Sequence, residues 1–260
     1  MTAVFDTADS RCVDRIVVSP NIEPRVGGRR PDLLLLHYTG MENAAKAIDW
    51  LSRPESKVSC HYVVAEDGAV TQMVPEALRA WHAGLSHWAG ETDINSCSIG
   101  IEIQNPGHAL GYPPFPPRQM RAIEALSADI VGRHAIPPGR VLAHSDVAPA
   151  RKIDPGEAFD WQRLARAGVG RWVEPEPADA ADPGLALGAR SEMVAEAQWL
   201  MRRYGYGAEV TGFLDQPTAF IVRAVQLHWR PARVDCRLDR STLETLRRLV
   251  AMAEGAEAIV

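Results

Sequence analysis

The sequence predicts an α/β fold, a mixed central β-sheet flanked by helices and followed by a small three-helix domain, on three observations. Over residues 1–172, short apolar runs of β type alternate with helical patterns, the rhythm of strands and helices sharing one sheet. Residues 173–189 are rich in Pro, Ala and Asp and carry no apolar periodicity, which reads as a linker. Residues 190–260 then turn to amphipathic helix and read as a separate domain.

The elements follow in order. Leu33-Leu34-Leu35-Leu36-His37 is a strand buried on both faces whose last residue emerges at the sheet's end. A helix is expected near Glu42–Leu51. His61–Ala65 and Val70–Val74 flank Glu66-Asp67-Gly68, an Asp-Gly turn signal, and predict a hairpin. In Ser98–Gln104, Ile99, Ile101 and Ile103 alternate with Gly100, Glu102 and Gln104, so one face is apolar and Glu102 points to the other. A helix at Arg118–His134 and a strand at Arg140–Ala143 complete the first part. Beyond the linker, Glu192–Tyr204, Thr218–Trp229 and Ser241–Met252 are the three helices. A faint repeat relates Val210–Thr218 to Val234–Thr242; in each copy an Asp is placed to cap the following helix and a Leu to enter the core.

Composition narrows the function classes. The chain has 260 residues, 46% of them hydrophobic, enough for a sizeable core. A net charge of -5 gives no electrostatic reason to expect nucleic acid or an anionic membrane as partner. The four cysteines are dispersed, without C-x-x-C spacing, and read as reduced, mostly buried thiols. Residues 1–10 carry acidic groups where an export signal has basic ones, and no apolar run of about 7–15 residues follows. The cytoplasm is therefore the expected location, with the periplasm or envelope as the alternative. Leu33–Leu36 is far too short to span a bilayer, so no transmembrane segment is expected.

Two strand ends carry chemistry. His37 closes the four-leucine run, and His144 follows Val141-Leu142-Ala143. Two imidazoles and one carboxylate make a three-ligand zinc set with an open position for the water of a hydrolase. The carboxylate is Asp154, ahead of Pro155-Gly156, or Asp146, whose position equally suits a helix cap. Glu102 is a solvated carboxylate or, beside a metal, a general base. Lys152 is a surface lysine or an oxyanion stabiliser. The loop Trp81-His82-Ala83-Gly84-Leu85-Ser86-His87-Trp88 is an apolar clasp or the wall of a sugar or peptide groove. His61, His82 and His87 remain rival ligands.

With these residues in view, most of residues 15–168 resembles the type 2 N-acetylmuramoyl-L-alanine amidases, zinc enzymes related to phage amidases and peptidoglycan recognition proteins. The resemblance is carried by His37-Tyr38-Thr39, His61-Tyr62-Val63-Val64 with Glu66-Asp67-Gly68, Ala80-Trp81-His82-Ala83-Gly84, Ser98-Ile99-Gly100-Ile101-Glu102, and His144-Ser145-Asp146 with Lys152-Ile153-Asp154-Pro155-Gly156. It implies that His37, His144 and Asp154 bind zinc, that Glu102 is the catalytic carboxylate and that Lys152 assists. It further implies that Tyr38, Trp81, His82, Ala83 and Asn105 line a muropeptide groove. Phage-type relatives place a tyrosine at Cys60, which leaves Glu102 as the partner of Lys152. Residues 190–254 look like a three-helix peptidoglycan-binding domain whose turn pattern is altered, since Cys236 stands where that pattern has Gly.

The implied reaction is hydrolysis of the amide between N-acetylmuramic acid, or its anhydro form, and L-alanine, in peptidoglycan or in soluble muropeptides, for wall recycling or turnover. The alternative is a peptidoglycan-binding protein without catalysis; such relatives lose a ligand, and here the full set is present. A general zinc peptidase is disfavoured because no H-E-x-x-H helix occurs. Because all these residues precede the linker, a chain ending near Val173 is expected to keep its turnover on soluble substrate.

Overall fold

The structure is a computed structural model that describes residues 5–257. Residues 1–4, the beginning of the segment read for an export signal, and residues 258–260, the end of the expected helical domain, lie outside the described residues. Contacts divide the chain into two compact units. One comprises the chain up to Leu85, Asp93–Ala143 and Arg163–Gly170; the other comprises Ser86–Thr92, His144–Gln162 and the chain from Arg171.

The first unit is built on a six-stranded mixed sheet. Its strands are β1 (Arg15–Ile16), β3 (Leu33–Tyr38), β4 (Tyr62–Val64), β5 (Val70–Gln72), β7 (Ser98–Ile103) and β8 (Val141–Ala143), in the order β1-β5-β4-β7-β3-β8. Only β4 and β5 run antiparallel, as the hairpin predicted around Asp67-Gly68; the other neighbours are parallel. Gly68 has φ +89 at that turn and its N–H donates to Ala65 O at 2.9 Å, a conformation that suits glycine. β2 (Ile22–Pro24) and β6 (Leu78–Ala80) form a separate antiparallel pair. These two strands and β1 have no counterpart in the sequence reading. They are two or three residues long and partly exposed, too short to show a period of two.

The inner strand β3 is wholly buried from Leu33 to Leu36, as a four-leucine run requires when helices and neighbouring strands cover both faces. Helix α1 (Ala44–Leu51) is capped by Asn43, whose side chain accepts from Lys46 N. After α2 (Ile94–Cys97), helix α3 (Pro117–His134) begins with proline at its first position and buries Met120, Ile123, Leu126 and Ile130, spaced as one helical face.

The second unit carries α4 (His144–Val147) and the three long helices α6 (Glu192–Tyr204), α7 (Gln216–Trp229) and α8 (Arg240–Glu257); α5 (Trp161–Arg166) lies at the boundary between the two sets of residues. The repeat seen in the sequence has a structural basis. Asp215 Oδ1 accepts from Thr218 N at 2.9 Å and Asp239 Oδ1 from Thr242 N at 2.7 Å, each capping its helix, while Leu214 and Leu238 are fully buried. In both copies a buried glutamine, Gln198 or Gln226, accepts two backbone N–H groups of the turn. Cys236 occupies the position equivalent to Gly212, and both have positive φ, +62 and +68. No helix among the described residues is long and apolar enough to cross a membrane.

Candidate active site

Strand register alone brings the chemical residues into one row. β3 and β7 pair so that His37 lies opposite Glu102, and β3 and β8 pair so that Leu36 lies opposite Ala143. Residues paired across a parallel sheet share a face, so His37 and Glu102 point to the same side. The residue after Ala143 is His144, where β8 ends and α4 begins, so it falls beside His37. Glu102 and His37 are thus paired across neighbouring strands, and His144 follows directly on the third.

Asp154 completes the group. Its Oδ2 lies 3.0 Å from His144 Nδ1, and Ser145 N donates to Asp154 O at 3.0 Å, which folds the loop back onto α4. His37, His144 and Asp154 are 1%, 3% and 6% exposed, and one ligand atom from each lies within 4.8 Å of the others. Tetrahedral coordination with bonds of ~2.1 Å separates ligand atoms by about 3.4 Å, so the donor set and its spacing fit a divalent metal of borderline softness.

His37 is oriented by a chain of hydrogen bonds. Its Nε2 lies 3.0 Å from His82 Nδ1, and His82 Nε2 lies 3.2 Å from Ser98 Oγ. The tautomers that satisfy this chain have His37 Nε2–H donating to His82 and His82 Nε2–H donating to Ser98, which leaves the Nδ1 lone pair of His37 to join a metal. The sequence marked His82 as a groove residue; its ring sits behind His37 instead of offering itself as a ligand. The ring occupies the space over Gly100, where a Cβ would come within 2.5 Å of it. Asn95 holds this loop, its Oδ1 accepting from the N–H groups of His82 and Ala83, and Ser59 Oγ accepts from Trp81 N.

The rival ligands are used elsewhere. His61 is fully buried, with Nδ1 accepting from Gly100 N at 3.0 Å and Nε2 donating to Leu78 O at 3.1 Å. Burial, with the Arg25 guanidinium nearby, lowers its pKa to about 3, so it is a neutral structural histidine. His87 is not in the converging ligand set; its backbone N–H donates to Val147 O. Asp146 accepts from Tyr206 Oη and His228 Nδ1, both at 2.6 Å, and is 1% exposed. Cys60 is buried beside Glu102, and burial followed by that carboxylate raises its pKa, so it stays a neutral thiol.

The remaining sequence candidates are placed as follows. Tyr38, next to His37, lies 3.2 Å from His108 Nδ1 through its hydroxyl, and His108 stacks on Tyr112 at 4.0 Å. Asn105 spends its side chain inside its own loop, Nδ2 donating to Pro113 O and Oδ1 accepting from Gly107 N. Trp81 is half-buried, and Lys152 is half-buried with its backbone N–H donating to Ala148 O. Gly100, Ser98, Tyr206 and His228 were not singled out from sequence. A glycine in an alternating strand was the one available signal, since it marks a close approach.

Residues 27–157 match the family model described as N-acetylmuramoyl-L-alanine amidase. Over 225 residues the chain is 34% identical to N-acetylmuramoyl-L-alanine amidase AmiD of Escherichia coli K12, covering 82% of this chain and 80% of that protein. It is 31% identical over 167 residues to 1,6-anhydro-N-acetylmuramyl-L-alanine amidase AmpD of Enterobacter cloacae, covering 58% of this chain and 87% of that protein. Two solved structures superpose well. AmiD from E. coli in complex with anhydro-N-acetylmuramic acid-L-Ala-D-gamma-Glu-L-Lys has a TM-score of 0.73 at 33% identity, covering 88% of this chain and 92% of that one. AmpDh3 from Pseudomonas aeruginosa in complex with anhydromuramic pentapeptide has 0.72 at 28% identity, covering 96% and 99%.

Proposed function

The chain belongs to the N-acetylmuramoyl-L-alanine amidase family, and from that premise we propose that it is a zinc-dependent amidase acting on soluble anhydro-muropeptides in wall recycling. The observation that carries this reading is the convergence of His37, His144 and Asp154, with Glu102 in register beside His37. The substrate class is supported by the relatives crystallised with anhydromuramyl peptides.

Two imidazoles and one carboxylate suit zinc, which when bound supplies a Lewis acid that polarises the amide and acidifies water. His37 is aimed by the His82 ring behind it, and Asp154, held beside His144, adds the anionic donor. Glu102 takes the proton from the attacking water and returns it to the nitrogen of L-alanine as the C–N bond breaks and the new C–O bond forms. Lys152 offsets the negative charge that grows on the carbonyl oxygen. Tyr38, Trp81, His82, Ala83 and Asn105 are the residues this reading assigns to contact with the muramyl and peptide parts. The domain scheme that goes with this reading is a catalytic part up to 172, the linker 173–189, and a peptidoglycan-binding-like part from 190.

The test is purified chain with anhydro-N-acetylmuramyl tripeptide, with release of the free peptide amine followed by chromatography. Hydrolysis should stop with a chelator and return with zinc, and Asp154→Ala should lose both zinc and turnover. Full turnover in chelator by zinc-free protein would overturn the reading.

A further inference from the structure

The segment from His144 to Trp161 contributes two of the three proposed ligands, and it is the helices of the C-terminal part that grip it. α4 is a single turn beginning at His144. Residues two apart on a helix lie roughly 200° apart around its axis, so with His144 turned toward Asp154, Asp146 is turned away. Its carboxylate, on a side chain fully removed from solvent, receives Tyr206 Oη and His228 Nδ1 at 2.6 Å each. Two more points of attachment follow along the segment. Arg223 Nη2 of α7 donates to Pro149 O at 2.8 Å, and the His228 ring is stacked between Trp161 and Trp229, at centroid distances of 3.8 Å on both sides. Tyr206 is itself set in the turn that ends α6, with the Trp88 ring packed against it at 4.9 Å.

We propose that Tyr206 and His228 are positioning residues of the metal site, acting through Asp146 to fix the turn that carries His144 and Asp154. The inference rests on the reading of those two residues as ligands. It assigns the C-terminal helices a part in catalysis that a wall-binding role does not contain. A buried carboxylate that loses the Tyr206 or the His228 donor bears a desolvation cost that a shift of its surroundings must relieve, and Asp146 stands on the same turn as His144. Groups one step removed from a metal ligand typically change metal affinity or activity by about 10- to 100-fold when lost. A chain ending near Val173, self-sufficient when judged from the linker, loses Tyr206, Arg223 and His228 together.

The experiment is zinc affinity of the full chain, by competition with a chelating dye, together with the visible spectrum of the cobalt(II)-loaded protein and the melting curve of the metal-free protein. Tyr206→Phe and His228→Gln should weaken zinc binding about 10- to 100-fold and alter the cobalt spectrum. Val250→Ala, in the buried face of α8 and outside the segment and the attachments named above, should lower the melting temperature at least as far with zinc affinity within about twofold of the parent. Affinities unchanged in the two aromatic-site variants, or weakened equally by Val250→Ala, would overturn the proposal. If neither variant folds, Arg223→Ala decides, since it removes one bond from a half-buried side chain: weaker zinc binding supports the proposal and unchanged binding overturns it. A parent chain that binds no zinc would overturn the ligand reading as well.

Discussion

Gly100→Ala tests whether His82 stands where it does for a chemical reason. The added Cβ would lie 2.5 to 2.6 Å from Nδ1, Cε1 and Cγ of the His82 ring, inside any ordinary contact distance. The ring is tied at both ends, to His37 Nε2 at 3.0 Å and Ser98 Oγ at 3.2 Å, so a retreat of about 1 Å breaks both bonds. Overpacking in a well-filled interior costs about 1–3 kcal/mol, and each lost hydrogen bond a further ~0.5–1.5 kcal/mol. The total of roughly 2–6 kcal/mol corresponds to a melting temperature lower by about 4–24 °C for a protein of this size. Because His37 loses the acceptor that orients its ring, zinc affinity should fall about 10- to 100-fold. The assays are thermal unfolding and chelator competition on Gly100→Ala, His82→Ala and the double variant. With the ring removed, the methyl has room, so the double variant should resemble His82→Ala alone instead of summing the two losses. A Gly100→Ala protein with parental melting temperature and zinc affinity would refute the reasoning.

Three further outcomes are expected. Glu102→Gln should keep its zinc and lose about 10²- to 10⁴-fold in turnover; steady-state kinetics with metal analysis checks this, and a drop confined to KM would count against a proton-transfer role. His61, lowered to about 3 from an unfolded value near 6.5, binds its proton more readily in the unfolded chain. The stability it contributes is complete above pH 6.5 and lost as pH falls toward 3, on the order of a few kcal/mol. Urea midpoints should therefore fall between pH 6.5 and 4.5 in the parent and fall less in His61→Gln. Below pH 4.5 Glu76 adds to the loss, since burial opposes its charge but Arg133, His134 and Tyr62 hold its pKa down to about 2. Cys236→Gly should raise the melting temperature slightly, because a side chain at φ +62 is strained by ~1–2 kcal/mol while glycine returns part of that as unfolded-state entropy; a lower melting temperature would show that the thiol's packing outweighs the strain.

Local chemistry determined much of this protein from sequence alone. A four-leucine run has no stable place but a buried inner strand, the alternation of Ile99, Ile101 and Ile103 assigned Glu102 to the opposite face, and the two Leu-Asp turns announced their own helix caps. His37 and His144 were legible as strand ends. What linear spacing leaves open is which strands lie side by side, because register is set by packing between segments far apart in the chain. Pairing of β3 with β7 set Glu102 opposite His37, and pairing of β3 with β8 set the end of β8, which His144 follows, opposite Leu36. The choice between Asp146 and Asp154 belongs to tertiary structure too: one turn of helix directs Asp146 away to Tyr206 and His228, residues beyond the linker, while the returning loop brings Asp154 to His144. The same cause hid His82 and Gly100, whose fit becomes visible only when a loop is laid over a strand. Periodicity reports how one element meets the core, and a catalytic row depends on how several elements meet one another.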